Sequence, residues 1–197
     1  FYLGADEKPN YTEKRSVKEM AEEAGEHWAE TLLRLSRETQ GRALFNWHMF
    51  QKDMDELKDL LTKSSHIYPG LGDAGAHVSQ IMDAGWSTFI LSYWHRETGT
   101  FSIEQAVEKM TSGPAKVLGL NDRGVLSVGM KADVNVFDAD EVCELQPTLV
   151  HDFPNGAPRF IQKSRGFKAT IVNGAVSVRN GELTGIRAGE VLRHGQV

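Results

Sequence analysis

A single cysteine, Cys143, occurs in the 197 residues. One thiol excludes an internal disulfide framework and a metal cluster built from cysteine alone. Its neighbours Val142 and Glu144 give no sign of activation, so a packed or surface residue is expected. Long hydrophobic runs are also missing. The most apolar stretch, Phe89-Ile90-Leu91-Ser92-Tyr93-Trp94, falls far below the ~20 residues a spanning helix needs. No apolar segment follows the charged N-terminus, so no secretory signal is expected. The expectation is no membrane partner and a cytoplasmic location. No basic patch interleaved with aromatics appears, and the net charge is -5, which argues against nucleic acid as a partner. The pattern His-x-His occurs nowhere. His27, His66, His95, His151 and His194 have no partner at ligand spacing and read as surface or packing residues. The chain opens on Phe1 and its first ten residues read like the middle of a domain, so a fragment is expected.

Of what is present, Gly72-Asp73-Ala74-Gly75-Ala76-His77-Val78 is the most informative stretch. It sets a carboxylate and an imidazole four positions apart with small residues between. The preceding His66-Ile67-Tyr68-Pro69-Gly70-Leu71 reads as a short buried strand, and a helix is expected from about Val78. A carboxylate released from a strand end into a glycine-softened turn is where a barrel enzyme mounts a catalytic or metal-binding group. The same pattern also suits a plain turn in which the Asp bonds its own backbone. A phosphate-binding turn fits less well, because Gly70, Gly72 and Gly75 lack a P-loop lysine and Asp73 would repel phosphate.

Around this turn the first half reads as helices with two short strands. Ser16 and Glu19 make a capping box for a helix to about Ala24. A second helix is expected from Trp28 to Gln40, with Leu32, Leu33 and Leu35 toward a core and Gly41 as its stop. Ala43–Trp47 is a candidate buried strand, followed by a helix from Lys52 to Leu61 with Met54, Leu57, Leu60 and Leu61 on one face. Strand, helix, strand at this spacing predicts a βα unit of a parallel sheet. Trp86, Phe89, Ile90, Tyr93 and Trp94 recur at helical spacing and read as core. Ser102 with Gln105 opens a helix to about Met110, and Pro114–Leu118 adds another.

The texture changes near Leu120. Ala132–Phe137 alternates as a half-buried strand does. Asn173-Gly174 between Thr170–Val172 and Val176–Val178 is a two-residue hairpin signal, and Asn180-Gly181 repeats it before a strand from Glu182. Two domains follow: 1–119, and a β module over 120–197.

Three segments carry a family resemblance. Gly70–Val78 resembles the last barrel strand and turn of metal-dependent amidohydrolases, in the N-acyl-D-amino-acid deacylase (D-aminoacylase) branch. Gly129–Asp138 is similar to a strand of that superfamily's β-sandwich. Val172–Gly185, with Gly189 and Val191-Leu192-Arg193, is similar to the branch's C-terminal hairpins and tail. The resemblance implies an α/β fold: the C-terminal part of a (β/α)₈ TIM-type barrel over 1–119, then part of a small β-sandwich. It implies a zinc-dependent hydrolase acting on the carbon–nitrogen bond of a small N-acyl-(D-)amino acid, with one or two Zn²⁺ ions.

By that resemblance Asp73 takes the proton of the attacking water, passes it to the leaving amine, and touches a second metal where one is bound. His77 faces the substrate or hydrogen-bonds the Asp73 loop, and Asn46 stands on the same rim as a substrate contact beside His48, loop capping being the alternative for both. A catalytic zinc needs about three protein ligands, and a barrel ~250 residues. The main zinc ligands and the N-terminal barrel and sandwich segments are therefore expected outside this chain. Alone it is expected to be inactive and to associate or lose solubility through unpaired strand edges. A cyclic-amide hydrolase of the hydantoinase or dihydroorotase kind shares the same Asp and Ala-Asp strand. A non-catalytic binding module, with a structural Gly-Asp turn, is the reading from another class.

Overall fold

The structure, a computed structural model, describes residues 1–11, 15–47, 53–70, 72–75 and 83–193. It divides into two compact units, Phe1–Leu57 and Lys58–Val197.

In the first unit, α1 (Val17–Ala24) starts at Ser16, whose hydroxyl accepts the Glu19 N–H while Glu19 Oε2 accepts the Ser16 N–H. Gly25, in the left-handed region at φ 67°, ends it. The second helix, α2 (Trp28–Glu38), is capped by His27, whose Nδ1 accepts the Ala29 N–H. Between them Glu26 accepts hydrogen bonds from Thr31 Oγ1 at 2.8 Å and Arg34 Nε at 3.0 Å. The Arg34 guanidinium, then the Thr31 hydroxyl, hold the Glu26 carboxyl below its ordinary range. Thr31 and Leu35 form the buried stripe of α2. Leu33, expected in the core, is exposed, because two residues of helix carry it about 200° around the axis from Leu35.

The expected strand at Ala43–Trp47 is not a member of a parallel sheet. Phe45 instead bridges Tyr2 in the antiparallel sense, with the Leu3 N–H donating to the Leu44 carbonyl and Leu44 N–H to that of Gly4. A segment's amides pair with whichever strand lies alongside, and here that strand is the N-terminal one. The third helix, α3 (Met54–Lys63), matches its expected position, but only Leu61 is buried, and Leu60 is half exposed.

In the second unit, the strand expected at His66–Leu71 is not found: Leu71 lies outside the described residues, and residues 66–70 join no ladder among the described ones. Their neighbours are side chains instead of strands. After α4 (Trp86–Phe89) the chain continues as a wider π-type helical segment, Ile90–Glu97. Ile90 and Trp94 are buried there as the spacing predicts, together with Leu91 and Ser92, whereas Trp86, Phe89 and Tyr93, also expected in the core, are half-buried. Two further helices follow, α5 (Ile103–Glu108), capped by Ser102 and Gln105, and α6 (Ser112–Leu118), with Pro114 in its first turn. Among the described residues no helix is long and apolar enough to cross a membrane.

The remaining elements are β1 (Val134–Phe137), β2 (Cys143–Glu144), β3 (Thr148–Val150), β4 (Arg159–Ile161), β5 (Ser164–Arg165), β6 (Phe167–Val172), β7 (Ala175–Arg179) and β8 (Glu182–Leu183). Four of them form an antiparallel sheet in the order β1-β6-β7-β8, while β2 pairs β5 and β3 pairs β4. Both expected hairpins are present: Val172 pairs Ala175 and Arg179 pairs Glu182, leaving two-residue loops. Asn173 and Gly174 adopt φ 47° and 80°, and Asn180 and Gly181 φ 49° and 82°, the signs a type I′ turn requires.

Helix and sheet are locked together in this unit. Ser92 Oγ donates to Glu144 Oε2 at 2.8 Å with both side chains buried. Arg96 Nη1 donates to the carbonyls of Ala139 and Val142. Asp133, of the Ala-Asp pair, accepts the Asn173 N–H on Oδ1 and Arg123 Nη1 on Oδ2, each at 2.9 Å. That carboxylate thus ties the first strand's entrance to the hairpin turn opposite.

Candidate active site

The candidate site is the turn around Asp73. Its side chain is exposed and its backbone N–H donates to Asp83 Oδ2 at 2.6 Å. The close approach depends on Gly72. A Cβ there would lie 2.6 Å from the Asp83 carbonyl oxygen, 3.0 Å from Asp83 Oδ1 and 3.0 Å from Trp86 Cδ1. Any side chain at 72 would push the turn off the start of α4. Gly75, at φ 103°, reverses the chain in a region that other residues adopt only with strain.

The segment before the turn has contacts of its own. Tyr68 packs so closely on Gly113 of α6 that a Cβ there would stand 2.2 Å from Tyr68 Cε1. Lys109 Nζ donates to the Ile67 carbonyl at 3.4 Å, 5.6 Å from the centre of the Tyr68 ring and 5.4 Å from that of Phe101. An ammonium between two aromatic faces adds cation–π attraction to the hydrogen bond. Among the described residues, helix ends and side chains thus hold Ile67 and Tyr68, and Asp83 and Trp86 hold the turn, where no β-ladder is present.

The other site residues expected from sequence fare differently. His77, with His48, lies outside the described residues. Asn46 is half-buried in the first unit, its N–H donating to the Phe1 carbonyl and its own carbonyl accepting from the Phe1 nitrogen. Sequence reasoning missed Asp83, Lys109 and Tyr68. Ten residues separate Asp83 from Asp73 with no period linking them, although an Asp two residues before Gly85 at a helix entrance was a visible signal.

Among the described residues no three His, Cys, Asp or Glu side chains gather as a metal-holding group. Asp73 and Asp83 meet through a backbone N–H, and two carboxylates fall short of the roughly three protein ligands that a catalytic zinc takes. The described residues therefore do not fit a zinc site by themselves.

Residues 65–178 match the amidohydrolase family. The chain belongs to that family. It is similar to N-acyl-D-glutamate deacylase of Alcaligenes xylosoxydans xylosoxydans, 44% identical over 91 residues, covering 45% of this chain and 17% of the relative. D-aminoacylase of the same organism is 29% identical over 187 residues, covering 77% of this chain and 37% of the relative. A dihydroorotase of Lactobacillus delbrueckii subsp. bulgaricus is 35% identical over 88 residues, covering 44% of this chain and 21% of the relative. Among solved structures, a crystal structure of D-aminoacylase described as defining a novel subset of amidohydrolases aligns with a TM-score of 0.50. It shares 26% identity, and the match covers 89% of this chain and 34% of that one. The amidohydrolase membership implied by the sequence motifs is thus found, with similarity to D-aminoacylases and N-acyl-D-amino-acid deacylases. The chain spans between about a sixth and two fifths of the length of these relatives.

Proposed function

We propose that this chain is part of a hydrolase that cleaves the amide bond of N-acyl-D-amino acids, and that Asp73 is its acid–base carboxylate. One observation carries the reading: within the family-matched span, Asp73 stands exposed on a turn whose N–H is bonded to Asp83 and whose Gly72 is packed against Asp83 and Trp86. Amide hydrolysis needs a base to take a proton from the attacking water and an acid to deliver one to the leaving amine. A single positioned carboxylate can do both in sequence, and such a step typically supplies ~10² to 10⁴-fold in rate. An exposed side chain on a fixed backbone suits that role, since it can reach a bound substrate without the turn itself moving.

In this reading His77 and Asn46 are substrate contacts. Residues 1–119 are the C-terminal portion of the barrel and 120–197 a segment of the β-sandwich. Zinc remains the implied cofactor, with its main ligands outside this chain, and the 197 residues alone are inactive. Small N-acyl amino acids are favoured as substrates by the names of the similar deacylases. Cyclic amides are the second reading, favoured by the similar dihydroorotases.

The test is turnover by the full-length polypeptide on N-acetyl-D-glutamate, N-acetyl-D-aspartate and dihydroorotate. Release of free amino acid from an N-acetyl substrate supports the first reading. Ring opening of dihydroorotate without deacylation would replace it with the second.

A further inference from the structure

We infer that Asp83 is a positioning residue for Asp73, an inference that rests on the catalytic reading of Asp73. Four observations converge on it. Asp83 Oδ2 accepts the Asp73 N–H at 2.6 Å, a short contact for a charged acceptor. The Asp83 backbone and its other carboxylate oxygen lie where a Cβ on Gly72 would go, so the residue before Asp73 is seated directly on Asp83. Trp86, three residues further on, closes the same space from α4. Beyond α4 the helical segment Ile90–Glu97 is buried and fastened to the β module through Ser92–Glu144 and Arg96 to the Ala139 and Val142 carbonyls.

Asp83 therefore couples a turn that joins no ladder among the described residues to a buried helical segment fastened to the β module. An acid–base group must be held to within a fraction of an ångström of the atoms it serves. A 1 Å misplacement can cost about 10²-fold in rate. The hydrogen bond reaches the backbone of Asp73 and leaves its carboxylate free, which is what positioning without quenching the group requires. The contact needs an oxygen acceptor at Asp83; the negative charge itself is dispensable.

The experiment uses the full-length polypeptide and the variants Asp83→Ala, Asp83→Asn and Asp73→Asn, with two readouts. One is kcat and KM on N-acetyl-D-glutamate; the other is amide hydrogen exchange at Asp73. Asp83→Ala is expected to speed exchange at Asp73 by about tenfold or more. It is expected to lower kcat by about 10- to 100-fold with KM nearly unchanged. Asp83→Asn, which keeps an acceptor oxygen, is expected to restore most of both. Unchanged exchange at Asp73 in Asp83→Ala overturns the inference, as does an Asn variant that fares no better than Ala. Should Asp83→Ala not fold, Asp83→Asn decides: near-native kcat and exchange sustain the inference, and an alanine-like loss of kcat in a folded protein overturns it. Asp73→Asn separates the two levels. If it leaves turnover intact, the catalytic reading of Asp73 fails and a catalytic purpose for Asp83 falls with it, whereas a failure confined to the Asp83 variants leaves Asp73 standing.

Discussion

Two regions of the larger unit reach order by opposite routes. From Val134 onward the chain satisfies its own backbone: β1, β6, β7 and β8 are neighbours in one antiparallel sheet, closed by two-residue turns. Around Asp73 no strand lies alongside among the described residues, and the backbone is held by Asp83, Gly113 and Lys109 through side chains and close packing. Hairpins carry their partners a few residues away, so their ladders need nothing distant. A parallel strand needs a crossover connection to reach its partner. Order around Asp73 consequently depends on a few contacts, each open to deletion.

The sharpest way to break the first region is Gly166→Ala. Gly166 sits at φ 85°, and a Cβ there would lie 2.5 Å from the Val142 backbone nitrogen and Cα, which cannot move aside as a side chain could. Strain and overpacking together are expected to cost about 3 kcal/mol or more, read as a lower urea midpoint for the whole unit. Gly113→Ala attacks the second region. The clash with Tyr68 is against a side chain that can turn, so a loss of about 1 to 3 kcal/mol is expected. Hydrogen exchange around 67–75 should rise while the hairpin amides stay protected. Equal loss of protection in both regions would show that they are not separately held. Asn173→Ala is milder. It forces alanine into a φ of 47° and removes the amide that donates to the Ala188 carbonyl, for an expected loss of about 1 to 2 kcal/mol.

The smallest effect is acid sensitivity at the entrance to the β module. The Arg123 guanidinium beside Asp122 holds its carboxyl below the ordinary 3.8, first by hydrogen bonding and then by charge. A carboxyl whose folded value is depressed favours the folded state above its unfolded value, and that contribution disappears as pH falls through the folded value. Arg123→Met should therefore be less stable than the parent near neutrality. The gap should narrow on acidification from about pH 4 downward. A gap independent of pH would mean that Arg123 acts by packing alone.

Much of this was legible from residue order. Helix caps at Ser16 and Ser102, and the Asn-Gly turns, are local signals whose partners lie two or three residues away, and each is found in place. The aromatic spacing from Trp86 to Trp94 marked a helical stretch, and of its expected core residues Ile90 and Trp94 are buried while Trp86, Phe89 and Tyr93 are half-buried. What could not be read were choices made over distance. Phe45 pairs Tyr2, and Ala43–Trp47 and 66–70 form no parallel ladder among the described residues. Asp83 comes to the Asp73 turn from 10 residues away and Lys109 to Ile67 from 42, without any repeat to announce them. Asp133 was seen as a motif, while its grip on Arg123 and the Asn173 turn needed coordinates.

The most direct test of the central claim is steady-state hydrolysis of N-acetyl-D-glutamate by the full-length polypeptide carrying Asp73→Asn, with the melting temperature measured alongside. Exposure of the side chain predicts an unchanged melt, and the acid–base role predicts a fall in kcat of about 10² to 10⁴-fold. A folded variant that turns over substrate at the parent rate would remove Asp73 from the chemistry.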